Sequence, residues 1–291
     1  MAGPGGAVLS PETWSVCGRE IRADRPVVLG VLNLTPDSFS DGGSLAGPEE
    51  ALARAEQMRS EGADLIDVGG ESTRPGARAV APEQEWERIR AVVRGLAKRG
   101  IPVSIDTTKA VVAERAVDCG AAVLNDVSGL RNDPDLAGVA ARAGAGLILM
   151  HMRGTPRTMQ RDVEYADLLG EVKESLRRSM AVAVERGCHE GQLVIDPGIG
   201  FGKSAQGSLE LIAGIGRLLD LGRPVLVGPS RKSFIGRVLD VSVEQRLEGT
   251  IAACVTAFER GARLFRVHDV RPVRRALDLA WAVRMAGGRA G

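Results

Sequence analysis

The chain predicts an α/β protein with a single (β/α)8 (TIM) barrel, and three observations carry the prediction. First, eight short β-rich runs recur: VVLGVL (27–32), DLIDVGG (64–70), IPVSID (101–106), AAVLND (121–126), GLILMH (146–151), QLVID (192–196), PVLVG (224–228) and ARLFRVH (262–268). Second, each run is almost continuously apolar rather than alternating, as parallel strands buried on both faces require. Third, segments of helical period separate the runs, and eight strand–helix repeats in about 265 residues fill one closed barrel. A doubly wound open sheet is the competing architecture. It rarely needs eight repeats, and no G-x-G-x-x-G follows the first run.

Taken in order, the intervening helices carry their own punctuation. PEEALARAEQMRSEG and PEQEWERIRAVVRGLAKRG open on proline and stop at glycine, while SVEQRLEGTIAACVTAFERG opens on serine and also stops at glycine. Proline suits the first helical turn, serine its cap, and glycine the left-handed residue past the end. VRPVRRALDLAWAVRMAGG supplies the last helix. Residues 26–286 form the barrel domain on this reading. Residues 1–25 form an N-terminal extension, partly disordered, with a small hairpin within 10–25, and residues 287–291 form a tail.

Composition narrows the function classes. Of 291 residues, 44% are hydrophobic and 26% charged, with a net charge of +1 and only 3% aromatic residues. Nucleic-acid binding calls for a basic face and usually for stacking aromatics, and neither is indicated. No apolar run is long enough to span a bilayer, and no signal peptide opens the chain. Cys17, Cys119, Cys188 and Cys254 are far apart and form no CxxC pair, so reduced buried thiols are expected, not a zinc site or disulfide framework. These features describe a cytoplasmic globular protein. The 37 glycines punctuate the chain between apolar runs, as many short turns demand.

The chemistry concentrates at the strand ends. Asn33, residues 71–74, Asp106, Asn125 with Asp126, Met150 with His151, Asp196, residues 230–232, and Arg266 with His268 all fall there. A barrel converges these positions on one cavity at its C-terminal face. Any single aspartate after a strand also serves as a turn or cap residue. Segments 33–47 and 71–82 are about 12 to 15 residues long, against about 2 to 6 for typical βα loops, so both are expected to act as lids. Carboxylates and an amide suit a flat heterocycle rich in N–H donors, because an ionised carboxylate only accepts. Arg74, Lys232, Arg266 and His268 suit an anion such as phosphate. Arg266 and His268, two apart on one strand, point to the same side.

Only five of the 38 basic residues are lysine, and Lys109, Lys203 and Lys232 fall in strand-end motifs. Either a point-charge donor is wanted there, or Lys109 and Lys203 are surface residues. His189 reads as a solvated turn residue, and His151 as either a packed residue or a neighbour of the cavity.

The motifs GVLNLTPDSFSDGG, DVGGESTRPGA, SIDTTK, NDVSGL, LMHMRGTP, DPGIGFGK, GPSRKSFIG and RVHDV occur in this order over residues 26–286, one at each strand end. Together they resemble the dihydropteroate synthases. The resemblance implies an enzyme that joins 6-hydroxymethyl-7,8-dihydropterin pyrophosphate to 4-aminobenzoate in folate biosynthesis. It also implies Mg²⁺ as cofactor, a site that sulfonamides target and a homodimer formed by outer helices near the C-terminal end.

Residue by residue, the resemblance implies that Asp196 and Asn125 read the 2-amino-pyrimidinone edge of the pterin. Asp106 accepts from another ring N–H, and Lys232 reaches the ring carbonyl. Met150 and Phe201 pack nearby, and Arg266 lies against the ring face. Pyrophosphate falls to Asn33, Thr73, Arg74, Arg266 and His268, with Mg²⁺ bridging it to Asn33. Aminobenzoate falls between Phe39, Pro75 and Lys232, its carboxylate meeting Ser233 at a helix start. Asp37 and Phe39 ride on the first lid and Pro75 on the second. Asp106, Asp196, Lys232 and Arg266 carry the catalysis. One departure is Ile199, where the family often has phenylalanine, and a packing adjustment is expected. A corrinoid methyltransferase sharing the pterin pocket needs no pyrophosphate site or such lids. A non-catalytic pterin-binding paralogue is expected to lack site residues, and none is missing here.

Overall fold

A computed structural model describes residues 12–35 and 47–287. Its ring strands are β3 (Val27–Asn33), β4 (Leu65–Gly69), β5 (Val103–Asp106), β6 (Val123–Asp126), β7 (Gly146–Met150), β8 (Leu193–Asp196), β9 (Leu226–Val227) and β10 (Leu264–Val267). They are preceded by the antiparallel hairpin of β1 (Thr13–Val16) and β2 (Arg19–Arg22). The ring order is β8-β7-β6-β5-β4-β3-β10-β9, every pairing is parallel, and a bridge between Ile195 and Val225 joins the two edges. The expected barrel and hairpin are both present. β9 shrinks to two residues because Pro224 and Pro229, which cannot donate to a ladder, lie close on either side.

Around the ring stand α1 (Pro48–Ser60), α2 (Pro82–Lys98), α3 (Ala110–Asp118), α4 (Asp135–Ala143), α5 (Leu168–Glu185), α6 (Ala205–Ala213), α7 (Ser233–Leu239), α8 (Leu247–Glu259) and α9 (Val270–Gly287). The expected punctuation recurs: α1 and α2 begin on Pro48 and Pro82, and α4 stops at Gly144 in the left-handed region, φ 62°. Asp167 and Ser204 cap α5 and α6 by accepting from the amides of Gly170 and Gly207. One element is additional. The GPSRKSFIG segment folds into the short helix α7 ahead of α8, after a left-handed turn at Arg231, φ 54°. No helix among the described residues is long and apolar enough to cross a membrane.

Period-two alternation sorts the strand residues into two cores. Outward residues such as Val28, Ile66, Ile105, Leu124, Leu149, Ile195 and Phe265 pack under the helices. Inward residues Leu29, Leu65, Val123, Ile148, Val194, Leu226 and Leu264 form a layer across the N-terminal end of the barrel. The hairpin closes that end. Trp14 is fully buried against this layer, and its indole N–H donates to the Gln192 carbonyl at 2.8 Å. Burying an aromatic of this size stabilises the fold by roughly 2–3 kcal/mol. With its lower end plugged, the barrel is open to chemistry only at its C-terminal face. There the next inward positions are Asp67, Ser104, Asp106, Asn125, Asp196 and Arg266.

Candidate active site

Arg266, inward on β10, anchors the floor of the site. Its Nε donates to Asp67 Oδ2 at 2.6 Å and its Nη2 to Asp106 Oδ2 at 2.8 Å. Asp67, fully buried in mid-β4, also accepts from Ser104 Oγ at 2.6 Å and from Asn125 Nδ2 at 3.3 Å. One guanidinium therefore links β4, β5 and β10, and through Asp67 it also reaches β6. Burial works against the Arg266 charge, but Asp67 and Asp106 outweigh it and hold the proton more firmly than usual. Burial pushes the Asp106 carboxyl up to about 7 against the pull of Arg266, and the neighbouring Asp67 charge adds to the rise.

Across the barrel, Asp196 ends β8 and accepts from the Gly198 amide at 2.7 Å. Burial raises its carboxyl above the usual range, while Lys232 opposes the rise. Lys232 precedes the first residue of α7, and its ammonium stands 4.2 Å from the centre of the Phe201 ring and donates to the Ile199 carbonyl. Burial lowers it to about 7, with Asp196 working the other way. Met150 packs with Val127, Met152 and Met159, and Phe201 lies against that cluster as an apolar wall. The site thus offers acceptors at Asp106, Asn125 and Asp196, cations at Lys232 and Arg266, and one apolar face. A planar heterocycle with several N–H groups and a carbonyl matches that distribution.

Nearer the mouth stand basic and neutral polar groups. His268 and Ser230 are coupled: the His268 amide donates to Ser230 Oγ at 3.1 Å, and the hydroxyl lies 3.0 Å from His268 Nδ1. The hydroxyl oxygen, with a second lone pair, can accept from Nδ1–H or donate to a bare Nδ1, so this contact holds the ring in place in either tautomer. Burial, then Arg266, lowers the imidazole to about 4, and Arg74 adds to that effect from the β4–α2 loop. Asn33 ends β3 half-buried. Thr73, Arg74, Pro75 and Ser233 occupy the rim, the last three exposed. Asp37 and Phe39 lie outside the described residues.

Several expectations are corrected. Asp126 does not join Asn125 in the cavity. It is the outward member of the pair, and its carboxylate accepts from the Ser128 and Leu130 amides at 2.7 and 2.6 Å to build the turn after β6. Lys203 is no surface residue: buried, its Nζ donates to the carbonyls of His151 and Pro197 at 2.9 and 2.8 Å and meets His151 Nδ1 at 2.7 Å. Lys109 is half-buried between Glu71 and Glu85. His151 is a packed residue held by Lys203, Cys17 is exposed, and His189 is exposed as expected. Ile199 is fully buried in the outer core. Two features escaped the sequence reading. Asp67 was the only carboxylate in the interior of an apolar run, a signal in itself. The segment 151–167, longer than either expected lid, reaches the β8–α6 loop through Gln160 to the Gly200 carbonyl at 3.2 Å and Tyr165 to the Gly202 carbonyl at 2.8 Å.

Known proteins share this fold and much of this sequence. The family model described as pterin binding enzyme matches residues 29–268. Dihydropteroate synthase of Synechocystis is 44% identical over 89% of this chain and 90% of its own, and that of Bacillus subtilis is 42% identical over 91% of each. Among solved structures, the Yersinia pestis dihydropteroate synthase in a sulfonamide drug complex superposes with a TM-score of 0.89 at 40% identity, covering 94% of this chain and 99% of its own. The Xanthomonas albilineans enzyme with 4-aminobenzoic acid gives 0.87 at 42% identity, again covering 94% and 99%.

Proposed function

The chain belongs to the pterin-binding enzyme family and, within it, to the dihydropteroate synthases. From that premise we propose how its residues join 6-hydroxymethyl-7,8-dihydropterin pyrophosphate to 4-aminobenzoate. The observation that carries the reading is the pair of opposed clusters: Arg266 between Asp67 and Asp106 on one side, Lys232 beside Asp196 on the other. Asp196 and Asn125 take the 2-amino-pyrimidinone edge, Asp106 accepts from a further ring N–H, and Lys232 donates to the ring carbonyl. Met150 and Phe201 exclude water from the ring, and Arg266 lies against its face.

The C–O bond of the pterin methylene breaks with its electron pair going to pyrophosphate. The amine lone pair then forms the C–N bond, and the nitrogen releases a proton. Asp67, Asp106 and Asp196, when ionised, favour positive charge on the pterin methylene as pyrophosphate departs, while Arg266 and Lys232 keep the floor from a larger charge imbalance. Arg74, Arg266 and the imidazole of His268 receive the anion, with Thr73 and Asn33 as neutral partners. Aminobenzoate enters at the rim between Phe39, Pro75 and Lys232, with Ser233 at its carboxylate.

Mg²⁺ fits this donor set as an ion carried in by pyrophosphate. Among the described residues no three His, Cys, Asp or Glu side chains group to hold a metal, but Asn33 Oδ1 stands at the mouth, 3.6 Å from the point where a side chain on Gly69 would begin. A neutral amide oxygen suits an ion whose other ligands are phosphate oxygens and water. When bound, Mg²⁺ neutralises charge on the leaving group. The exposed apolar residues Leu279 and Val283 of α9 support a homodimer through the C-terminal helices. Four unpaired thiols support a cytoplasmic location.

A coupled pyrophosphate assay with each substrate omitted in turn tests the reading. Release requiring both substrates is the expected result. Binding of the pterin without release in any combination would make the chain a non-catalytic paralogue.

A further inference from the structure

We propose that Lys109 is a positioning residue for the loop 71–81, acting as a clamp that ties both ends of that loop together and so sets Thr73, Arg74 and Pro75. The ammonium of Lys109 donates to Glu71, at the start of the loop, and to Glu85, in the first turn of the helix that follows it. The same Glu71 Oε2 accepts from the Val80 amide at 3.2 Å, closing the loop on itself. Arg88 of α2 reaches back to the Gly70 carbonyl at 2.7 Å. Gly70 completes the base: a Cβ there would lie 2.8 Å from the Glu85 carbonyl oxygen and 2.9 Å from Ile89 Cγ2, so α2 seats directly on the strand end.

Lys109 itself comes from neither end. It immediately precedes α3 on the next strand–helix unit, where a cation meets the positive pole of its own helix and makes no side-chain cap. The paired carboxylates overcome that repulsion and the penalty of burial, leaving the ammonium more firmly protonated than an ordinary lysine. Glu85 is fully buried, and among the described residues its Oε1 has no hydrogen-bond partner, so Lys109 is the cation that answers its charge there. It also borders the site. Glu71 and Glu85 line a cavity of about 30 Å³ together with Thr73 and Asp106. Asp106 belongs to the pterin floor as well, but its carboxylate is held by Arg266 and its strand by β4 and β6, so a change at Lys109 acts first on the rim.

The inference rests on the proposed role of the loop in aminobenzoate binding, and its test separates the two. Arg78 is exposed on the loop, and trypsin cleavage after it reads the loop without any substrate. Lys109→Met leaves Glu85 buried without its cation and should lower the midpoint of thermal unfolding; well below that midpoint, cleavage after Arg78 should rise at least tenfold, and Lys109→Arg should restore both the midpoint and the slow rate. In turnover, Lys109→Met should raise KM for aminobenzoate about tenfold and leave the dissociation constant of a dihydropterin within twofold. If Lys109→Met does not fold, Glu71→Gln/Glu85→Gln/Lys109→Met, which removes the buried charges together, carries the same comparison. Wild-type cleavage after Arg78 in the folded variant would overturn the clamp whether or not the chain releases pyrophosphate. An unchanged KM for aminobenzoate would also overturn it where Pro75→Ala raises that KM.

Discussion

Arg266 and Asp67 stand 199 positions apart in sequence and 2.6 Å apart in space, Nε to Oδ2, at the floor of the barrel. Asp67 is fully buried, so its charge depends on Arg266, Ser104 and Asn125 for compensation. Asp67→Asn removes the charge and turns half of the side chain into a donor that faces other donors. Breaking a buried pair from one side costs on the order of 3 kcal/mol. A drop of that size in denaturant unfolding is expected, together with weaker dihydropterin binding as Arg266 loses one of its two anchors. Unchanged stability and affinity would show that Asp106 alone positions Arg266.

Asp196→Asn tests the opposite wall. A carboxylate that only accepts suits a pterin edge that donates, and the amide presents the wrong half to it. Such a buried mismatch costs about 1–3 kcal/mol, which is about tenfold to a hundredfold in affinity. Calorimetry with a dihydropterin should show that loss, and an unaltered dissociation constant would place Asp196 outside the pterin contacts.

Two opposed titrations shape the pH dependence. Lys232, lowered to about 7 by burial, loses its charge as pH rises through neutrality, whereas Asp106, raised to about 7 by burial, gains a proton as pH falls through it. Both charged forms coexist near pH 7, so kcat/KM for the pterin substrate should peak there and fall on both sides. Lys232→Met should abolish the alkaline limb.

Stability follows the reverse course. Between about 7 and 10.5 the unfolded chain binds the Lys232 proton more tightly than the folded one, so this contribution rises with pH. Between 3.8 and about 7 the folded chain binds the Asp106 proton more tightly, so that contribution falls with pH. The two residues together stabilise the fold least near pH 7, where they serve the reaction best. Unfolding free energies of wild type, Lys232→Met and Asp106→Asn across pH 5–9 check the signs.

Lid closure predicts coupling between the anion and the second substrate. If pyrophosphate and Mg²⁺ draw the 33–47 and 71–82 segments together, each ligand must tighten the other, since coupling free energy is reciprocal. Aminobenzoate, and a sulfonamide that mimics its ring and acidic head, should bind markedly better with pterin, pyrophosphate and Mg²⁺ present. Phe39→Ala and Pro75→Ala should raise KM for aminobenzoate and spare pterin affinity. Equal affinity under both conditions would mean a preformed rim.

Much of this molecule is legible in one dimension because parallel strands buried on both faces write themselves as apolar runs. Their C-terminal ends then name the cavity residues: Asn33, Asp106, Asn125, Asp196, Arg266 and His268 were all readable as strand-end polar groups. Spacing also paired Arg266 with His268, since residues two apart on a strand share a face. What the sequence could not decide is which way each strand end faces and who meets whom across the ring. Asn125 and Asp126 are adjacent and chemically alike, yet one enters the cavity and the other builds a turn, because strand parity is set by pairing register and not by residue type. Asp67 looked like part of a core strand until ring closure brought β10 within reach of β4. For Lys109 and Lys203 the sequence left open a point-charge role or a place on the surface, and the choice fell only when the loops folded carboxylates and carbonyls around them. A buried charge is tolerated only where partners from distant segments converge, and only the closed barrel brings those segments together.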